Sequence, residues 1–161
     1  MVNTMRISLT VNGVRREVEV KPYESLFHVL RDKLYLRSVK GNCFRGECGV
    51  CTVIMNDKLV KSCQVLAVEA DGAEILTAEG LSRDGKPSPI QRAFIEKFGF
   101  QCGFCTPAFI LAGHWIAKNM PKATDEEIKE ILNGIVCRCT GYLQIIEAIK
   151  LGIKYYRESS G

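Results

Sequence analysis

Eight cysteines stand out among the 161 residues, and they fall into two sets of four with unlike spacing. Cys43, Cys48 and Cys51 lie close together, and Cys63 follows after eleven residues. This is the plant-type spacing for a 2Fe–2S cluster, with three thiolates on one loop and a fourth arriving later. Such a loop has to fold tightly around an inorganic core and aim backbone N–H groups at its sulfurs. Gly46 and Gly49 within it permit backbone conformations that a side chain blocks. The second set is Cys102-x2-Cys105, then thirty-one residues, then Cys137-x-Cys139. Its pairs stand beside two expected helix starts, at Pro107 and Thr140, where free N–H groups favour an anionic centre. Taken alone, this set suits either a second 2Fe–2S cluster or a four-cysteine zinc site. Beside the first loop, the cluster is the reading taken.

The remaining composition excludes more than it offers. Twenty-two Lys and Arg against eighteen Asp and Glu leave a formal charge of +4, scattered along the chain. A nucleic-acid partner calls for a basic stripe, and none is present. The opening, Met1 to Leu9, has no apolar core behind a basic stretch, so no secretory signal is expected and the cytoplasm is the expected location. Cysteines there are more often metal ligands or redox groups than disulfides. Phe98 to Ala117 runs twenty residues without a charge, the length of a bilayer crossing, but Gln101, Pro107, His114 and three glycines interrupt it, so no membrane span is expected. His28 and His114 read as structural or surface residues, and Asp125-Glu-Glu127 as an ordinary acidic helix start. Phe94, Phe98, Phe100 and Phe104 are expected to pack a helical core. There is no Gly-x-Gly-x-x-Gly, phosphate loop or nucleophile elbow, so no catalytic residue and no organic substrate site is assigned.

The elements that must position the cysteines follow from periodicity. Met5, Ile7, Leu9 and Val11 alternate with polar residues, Asn12-Gly13 makes a tight turn, and Val14, Val18 and Val20 return. Leu26, Val29, Leu30 and Leu34 have helical spacing after Ser25. Cys51 to Met55, an Asn56-Asp57 turn and Leu59-Val60 form a second hairpin, and short apolar runs at Val65 to Val68 and Ile75-Leu76 close the segment. This is an α+β pattern over residues 1–79. Residues 80–89 are dense in turn formers and read as a linker. Over 90–161 the period becomes helical. Helices are expected through Ile90, Phe94 and Phe98, from Pro107 toward Met120, behind the Thr124/Glu127 capping box, and along Ile145, Ile146, Ile149 and Ile153. Four helices with short connections make a bundle.

On these motifs the sequence resembles the small iron–sulfur subunit of the molybdenum hydroxylases, the xanthine oxidase and aldehyde oxidoreductase family. Val11-Asn-Gly13, Cys43 to Val53, Glu79-Gly-Leu81, Gln101-Cys-Gly-Phe-Cys-Thr-Pro107 and Cys137-Arg-Cys-Thr-Gly-Tyr142 carry the resemblance over nearly the whole chain. It departs at Asn42 and Ala108, where the family usually has Gly. The resemblance implies a β-grasp ferredoxin domain followed by a four-helix-bundle domain, with Gln101 and Cys139 approaching a molybdopterin. It implies electron transfer from the molybdopterin of a large subunit, through two 2Fe–2S clusters, to the FAD of a medium subunit, in an αβγ heterotrimer or its dimer. Because the chain ends at Gly161 without molybdopterin or flavin domains, both partners are expected as separate polypeptides. An aldehyde is the substrate class favoured. Carbon monoxide, a purine, an N-heterocycle or an aromatic thioester are the alternatives within the family, and a free soluble ferredoxin shuttle is the alternative outside it.

Overall fold

The computed structural model describes residues 3–159. Strands β1 (Met5–Val11) and β2 (Val14–Val20) pair antiparallel across Asn12-Gly13, whose φ angles of 52° and 79° supply the left-handed pair that a two-residue hairpin requires. Ile7, Leu9 and Val11 are buried, as their alternation indicates, while Met5 is exposed. A single turn, α1 (Leu26–His28), runs into a π-helical stretch over Val29–Lys33, closed by the amide of Leu34 on the carbonyl of Val29. The second hairpin is β3 (Thr52–Met55) and β4 (Lys58–Lys61), and β5 (Glu74–Leu76) inserts between it and the first. The resulting sheet has the order β2-β1-β5-β3-β4, in which only β1 and β5 run parallel. The fold is mixed α+β.

Helices α2 (Pro89–Glu96), α3 (Thr106–Asn119), α4 (Asp125–Leu132) and α5 (Leu143–Ser159) follow. Ser88 with Gln91 and Thr124 with Glu127 form capping boxes, satisfying amides at the starts of α2 and α4. A Cβ added at Gly152 of α5 would come 2.3 Å from Ile90 Cδ1, so the missing side chain is what lets α2 and α5 lie so close. Among the described residues, no helix is long and apolar enough to cross a membrane.

Two apolar cores result. One packs Leu9, Val20, Val53 and Ile75 of the sheet region against Leu26 and Leu30 of the helical turn. The other joins Ile90, Phe94, Phe109, Ile116, Ile128 and Ile145 of the helices, and extends to Cys48, Val50 and Ile54 beside the first cysteine loop. The α3 helix braces the second hairpin: Trp115 Nε1 donates to Asp57 O at 2.8 Å, and Lys118 Nζ meets Asp57 Oδ1 at 3.0 Å. The start of the linker is held just as firmly. Asn12 Nδ2 donates to Thr77 Oγ1 at 2.9 Å and accepts from the Thr77 amide through Oδ1, and the Glu79 carboxylate accepts from Thr77 Oγ1 and from the amide and hydroxyl of Ser38.

One expectation is corrected. Of the four phenylalanines expected to pack the helices, only Phe94 does so; Phe98 is 74% exposed, Phe104 44% and Phe100 38%. The four-residue period fails because α2 stops at Glu96: Gly99 N–H closes on the Phe94 carbonyl, and Phe98 takes a φ of 51°. The chain then leaves the helix axis, and Phe98, Phe100 and Phe104 stay exposed on the segment that carries Cys102 and Cys105.

Candidate metal centres

The first cysteine set is assembled by the loop before β3 and the turn after β4. Cys48 and Cys51 are buried, Cys43 and Cys63 half-buried. Phe44, Gly46 and Gly49 take φ angles of 53°, 76° and 65°, which curl the loop inward. Asn42, which stands where the family usually has Gly, is not among the residues of positive φ. The curl aims the amides of Cys48 and Arg45 at Cys43 Sγ, at 3.3 and 3.4 Å. These two N–H groups hold the Cys43 thiol down to about 6. Burial pushes the Cys51 thiol up to about 11. Lys61 Nζ donates to Gly46 O at 2.5 Å, Ser62 Oγ to Cys51 O at 2.7 Å, and Gln64 Nε2 to Cys63 Sγ at 3.4 Å. Residues of β4 and the following turn therefore fasten the loop at several points.

The second set comes from two helix-flanking segments. Cys105 is the cap residue of α3, and Cys102 lies three residues before it; Cys137 and Cys139 precede α5. Cys139 Sγ and Cys102 Sγ are 3.6 Å apart. Cys137 Sγ meets Thr140 Oγ1 at 3.1 Å and the Thr140 amide at 3.5 Å. Burial opposes ionisation of Cys137, yet the Thr140 hydroxyl and amide hold its thiol below the ordinary value. Burial, with Cys137 adding to it, pushes Cys105 up to about 12, and the neighbouring Cys102 raises Cys139. Tyr142 OH accepts from the Cys137 amide at 2.9 Å and donates to Ile135 O at 3.2 Å, and its ring stands edge-on to Phe109.

Both donor sets fit iron–sulfur chemistry. Each consists of soft thiols alone, two of them buried in each set, with N–H or O–H donors at the sulfurs, the arrangement that favours thiolate-bound iron and sets its potential.

The two sets meet. The amide of Val136, next to Cys137, donates to the carbonyl of Cys48 at 2.9 Å. At Gly49 a Cβ would lie 1.9 Å from Gly134 O, so the two backbones touch where glycine alone allows it. Cys48 of the first set and Cys102, Cys105 and Cys139 of the second line one cavity of about 140 Å³.

The other candidates do not line this cavity. Gln101 is exposed and hydrogen-bonds no described residue. His114 Nδ1 meets Tyr156 OH at 2.5 Å between α3 and α5, where burial, aided by Lys118, lowers its pKa. His28 Nδ1 meets Ser25 Oγ at 2.8 Å. Neither histidine bonds a cysteine. Sequence reasoning missed Val136, Ser62 and Gln64 as supporting residues, since a backbone amide and two short polar side chains carry no spacing signal. Thr140 and Tyr142 were visible only as part of a motif.

Comparison with known proteins agrees with the chemistry. The family described as "2Fe-2S iron-sulfur cluster binding domain" matches residues 9–80, and that described as "[2Fe-2S] binding domain" matches 77–150. The chain is thus an iron–sulfur protein with two such domains. It belongs to the family of small iron–sulfur subunits of the molybdenum hydroxylases. It is 42% identical to the nicotinate dehydrogenase small FeS subunit of Eubacterium barkeri, over 95% of this chain and 98% of that one. It is 37% identical to the aldehyde oxidoreductase iron-sulfur-binding subunit PaoA of Escherichia coli (strain K12), over 91% of this chain and 70% of that one. Among solved structures, quinoline 2-oxidoreductase from Pseudomonas putida 86 superposes with a TM-score of 0.92 at 37% identity, covering 98% of this chain and 99% of the matched chain.

Proposed function

We propose that this chain is the electron-transfer subunit of a multi-subunit molybdenum hydroxylase, with one 2Fe–2S cluster on Cys43, Cys48, Cys51 and Cys63 and a second on Cys102, Cys105, Cys137 and Cys139. The first set sits in a β-grasp domain over 1–79 and the second in a four-helix bundle over 90–161, joined by 80–89. The observation that carries the reading is the hydrogen bond from Val136 to Cys48, which links the two thiol loops directly. Bound clusters supply one-electron uptake and release. The protein's part is to hold two such centres at a fixed spacing and to tune them.

Exposed apolar residues support two partner faces. Phe98, Phe100, Phe104 and Leu143 flank the second set in sequence, next to Gln101 and Cys139. This is the face assigned to the large molybdopterin-binding subunit, with Gln101 and Cys139 nearest the pterin. Phe44 stands out of the first loop, the face assigned to the medium FAD-binding subunit. The assembly is an αβγ heterotrimer or its dimer, placed in the cytoplasm. The substrate is an aldehyde or an N-heterocyclic compound, hydroxylated in the large subunit. The names of the relatives support both, aldehyde through PaoA and N-heterocycle through nicotinate dehydrogenase and quinoline 2-oxidoreductase.

The test is purification of the tagged chain from its own cells. The expected result is two larger polypeptides in stoichiometric amount, carrying molybdenum and flavin. A chain that emerges alone with its iron is a free shuttle, and the reading fails.

A further inference from the structure

The cavity between the two cysteine sets has two polar residues on its lining, and neither is used by the fold. Asn42 precedes Cys43 in the first loop, and Arg138 separates Cys137 from Cys139 in the second. Both are exposed at the cavity rim. Asn42 forms no hydrogen bond and Arg138 no hydrogen bond or ion pair with any other described residue. This separates them from the other polar residues of the loops: Arg45 pairs with Glu47, Lys61 with Gly46 O, and Gln64 with Cys63. The first loop thus contributes Asn42, whose amide has two N–H donors, to the lining of a cavity that Cys102, Cys105 and Cys139 also line. The second loop adds a permanent cation with five N–H donors.

A four-thiolate 2Fe–2S centre is an anion and gains a further negative charge when it takes up an electron. Donors and cations near its sulfurs therefore stabilise the reduced form and raise the reduction potential. We infer that Asn42 and Arg138 form a donor pair across the domain junction that raises the potential of the second cluster, Asn42 acting on that cluster although it neighbours a ligand of the first. Both are positioning residues in the electrostatic sense: they touch no substrate and set which of the two centres holds the electron. The inference rests on the assignment of the two cysteine sets above. Iron content tests that assignment separately, since loss of a cluster is read by analysis and a shift of potential by titration.

The experiment is a potentiometric titration of the full chain with both clusters in place, each followed by its own electron paramagnetic resonance signal. Arg138→Gln is expected to favour reduction of the first cluster over the second by about tenfold, a change of about 59 mV for a one-electron couple. Arg138→Lys keeps the charge and is expected to recover most of the shift. Asn42→Ala is expected to lower the potential of the second cluster by a smaller amount and to leave that of the first in place. Iron content and thermal unfolding should match the unsubstituted chain in all three. The inference is overturned if Arg138→Gln leaves the gap between the potentials unchanged, if Arg138→Lys shifts it as far as Arg138→Gln, or if Asn42→Ala moves only the first cluster. If Arg138→Gln does not accumulate as folded protein, Arg138→Lys and Asn42→Ala still decide between a shifted and an unshifted second cluster.

Discussion

The amide of Val136 donates to the carbonyl of Cys48 at 2.9 Å, and this bond ties the residue beside one cysteine set to a member of the other. Its neighbour Gly49 lies against Gly134 with no room for a side chain. The junction is therefore built from backbone at the point where the two cysteine sets approach. That makes their spacing a property of the main chain and largely independent of side-chain rotamers.

Gly49→Ala should break this junction. The new Cβ meets a backbone oxygen, and the residue must hold a φ of 65°. Left-handed strain and overpacking together predict a loss of about 2–5 kcal/mol, measured by denaturant unfolding. Gly72→Ala, where φ is 76° and no atom lies within 4 Å of the added Cβ, should cost only the backbone strain, about 1–2 kcal/mol. Equal losses at the two sites would contradict the close contact.

Tyr142→Phe should weaken the second centre selectively. It removes the acceptor of the Cys137 amide and the donor to Ile135, while keeping the ring against Phe109. The expected loss is about 1–3 kcal/mol, with the unsatisfied amide as its main source. Chelator-driven bleaching should accelerate for the second cluster and stay unchanged for the first.

Acid stability should depend on Glu79. Burial favours its neutral form, but the Ser38 and Thr77 donors outweigh it and hold the carboxyl below its usual value of 4.5. A depressed folded-state pKa means stability that is present above the unfolded value and lost as pH falls through the folded one. Glu79→Gln should therefore be less stable than the unsubstituted chain at neutral pH, and the gap should narrow below about pH 4.5 as the native carboxylate protonates. A gap that is constant with pH would place the contribution of Glu79 elsewhere.

The hairpins, the Thr124/Glu127 capping box and both cysteine sets were legible because each has a short, local signature, whereas the Ser88/Gln91 box begins inside what reads as a linker. Alternation showed Ile7, Leu9 and Val11 facing inward, and Asn12-Gly13 showed the turn between their strand and the next. What stayed hidden depends on contacts between distant segments. Phe98, Phe100 and Phe104 look like core residues in a linear reading, because an exposed phenylalanine and a buried one have the same chemistry. The π-helical turn over Val29–Lys33 has no composition of its own. The approach of Gly49 to Gly134 joins residues 85 positions apart, and neither glycine announces the other.

The central claim is that two separate four-cysteine sets each hold a 2Fe–2S cluster. Iron and acid-labile sulfide should be counted in the anaerobically purified chain and in its Cys43→Ala and Cys137→Ala variants. The account predicts about four irons and about four sulfides per chain, falling to about two of each in either variant, with a different cluster's resonance signal lost in each case. Zinc in place of iron at either set, saturation of the unsubstituted chain at about two irons, or loss of the same signal in both variants would contradict it.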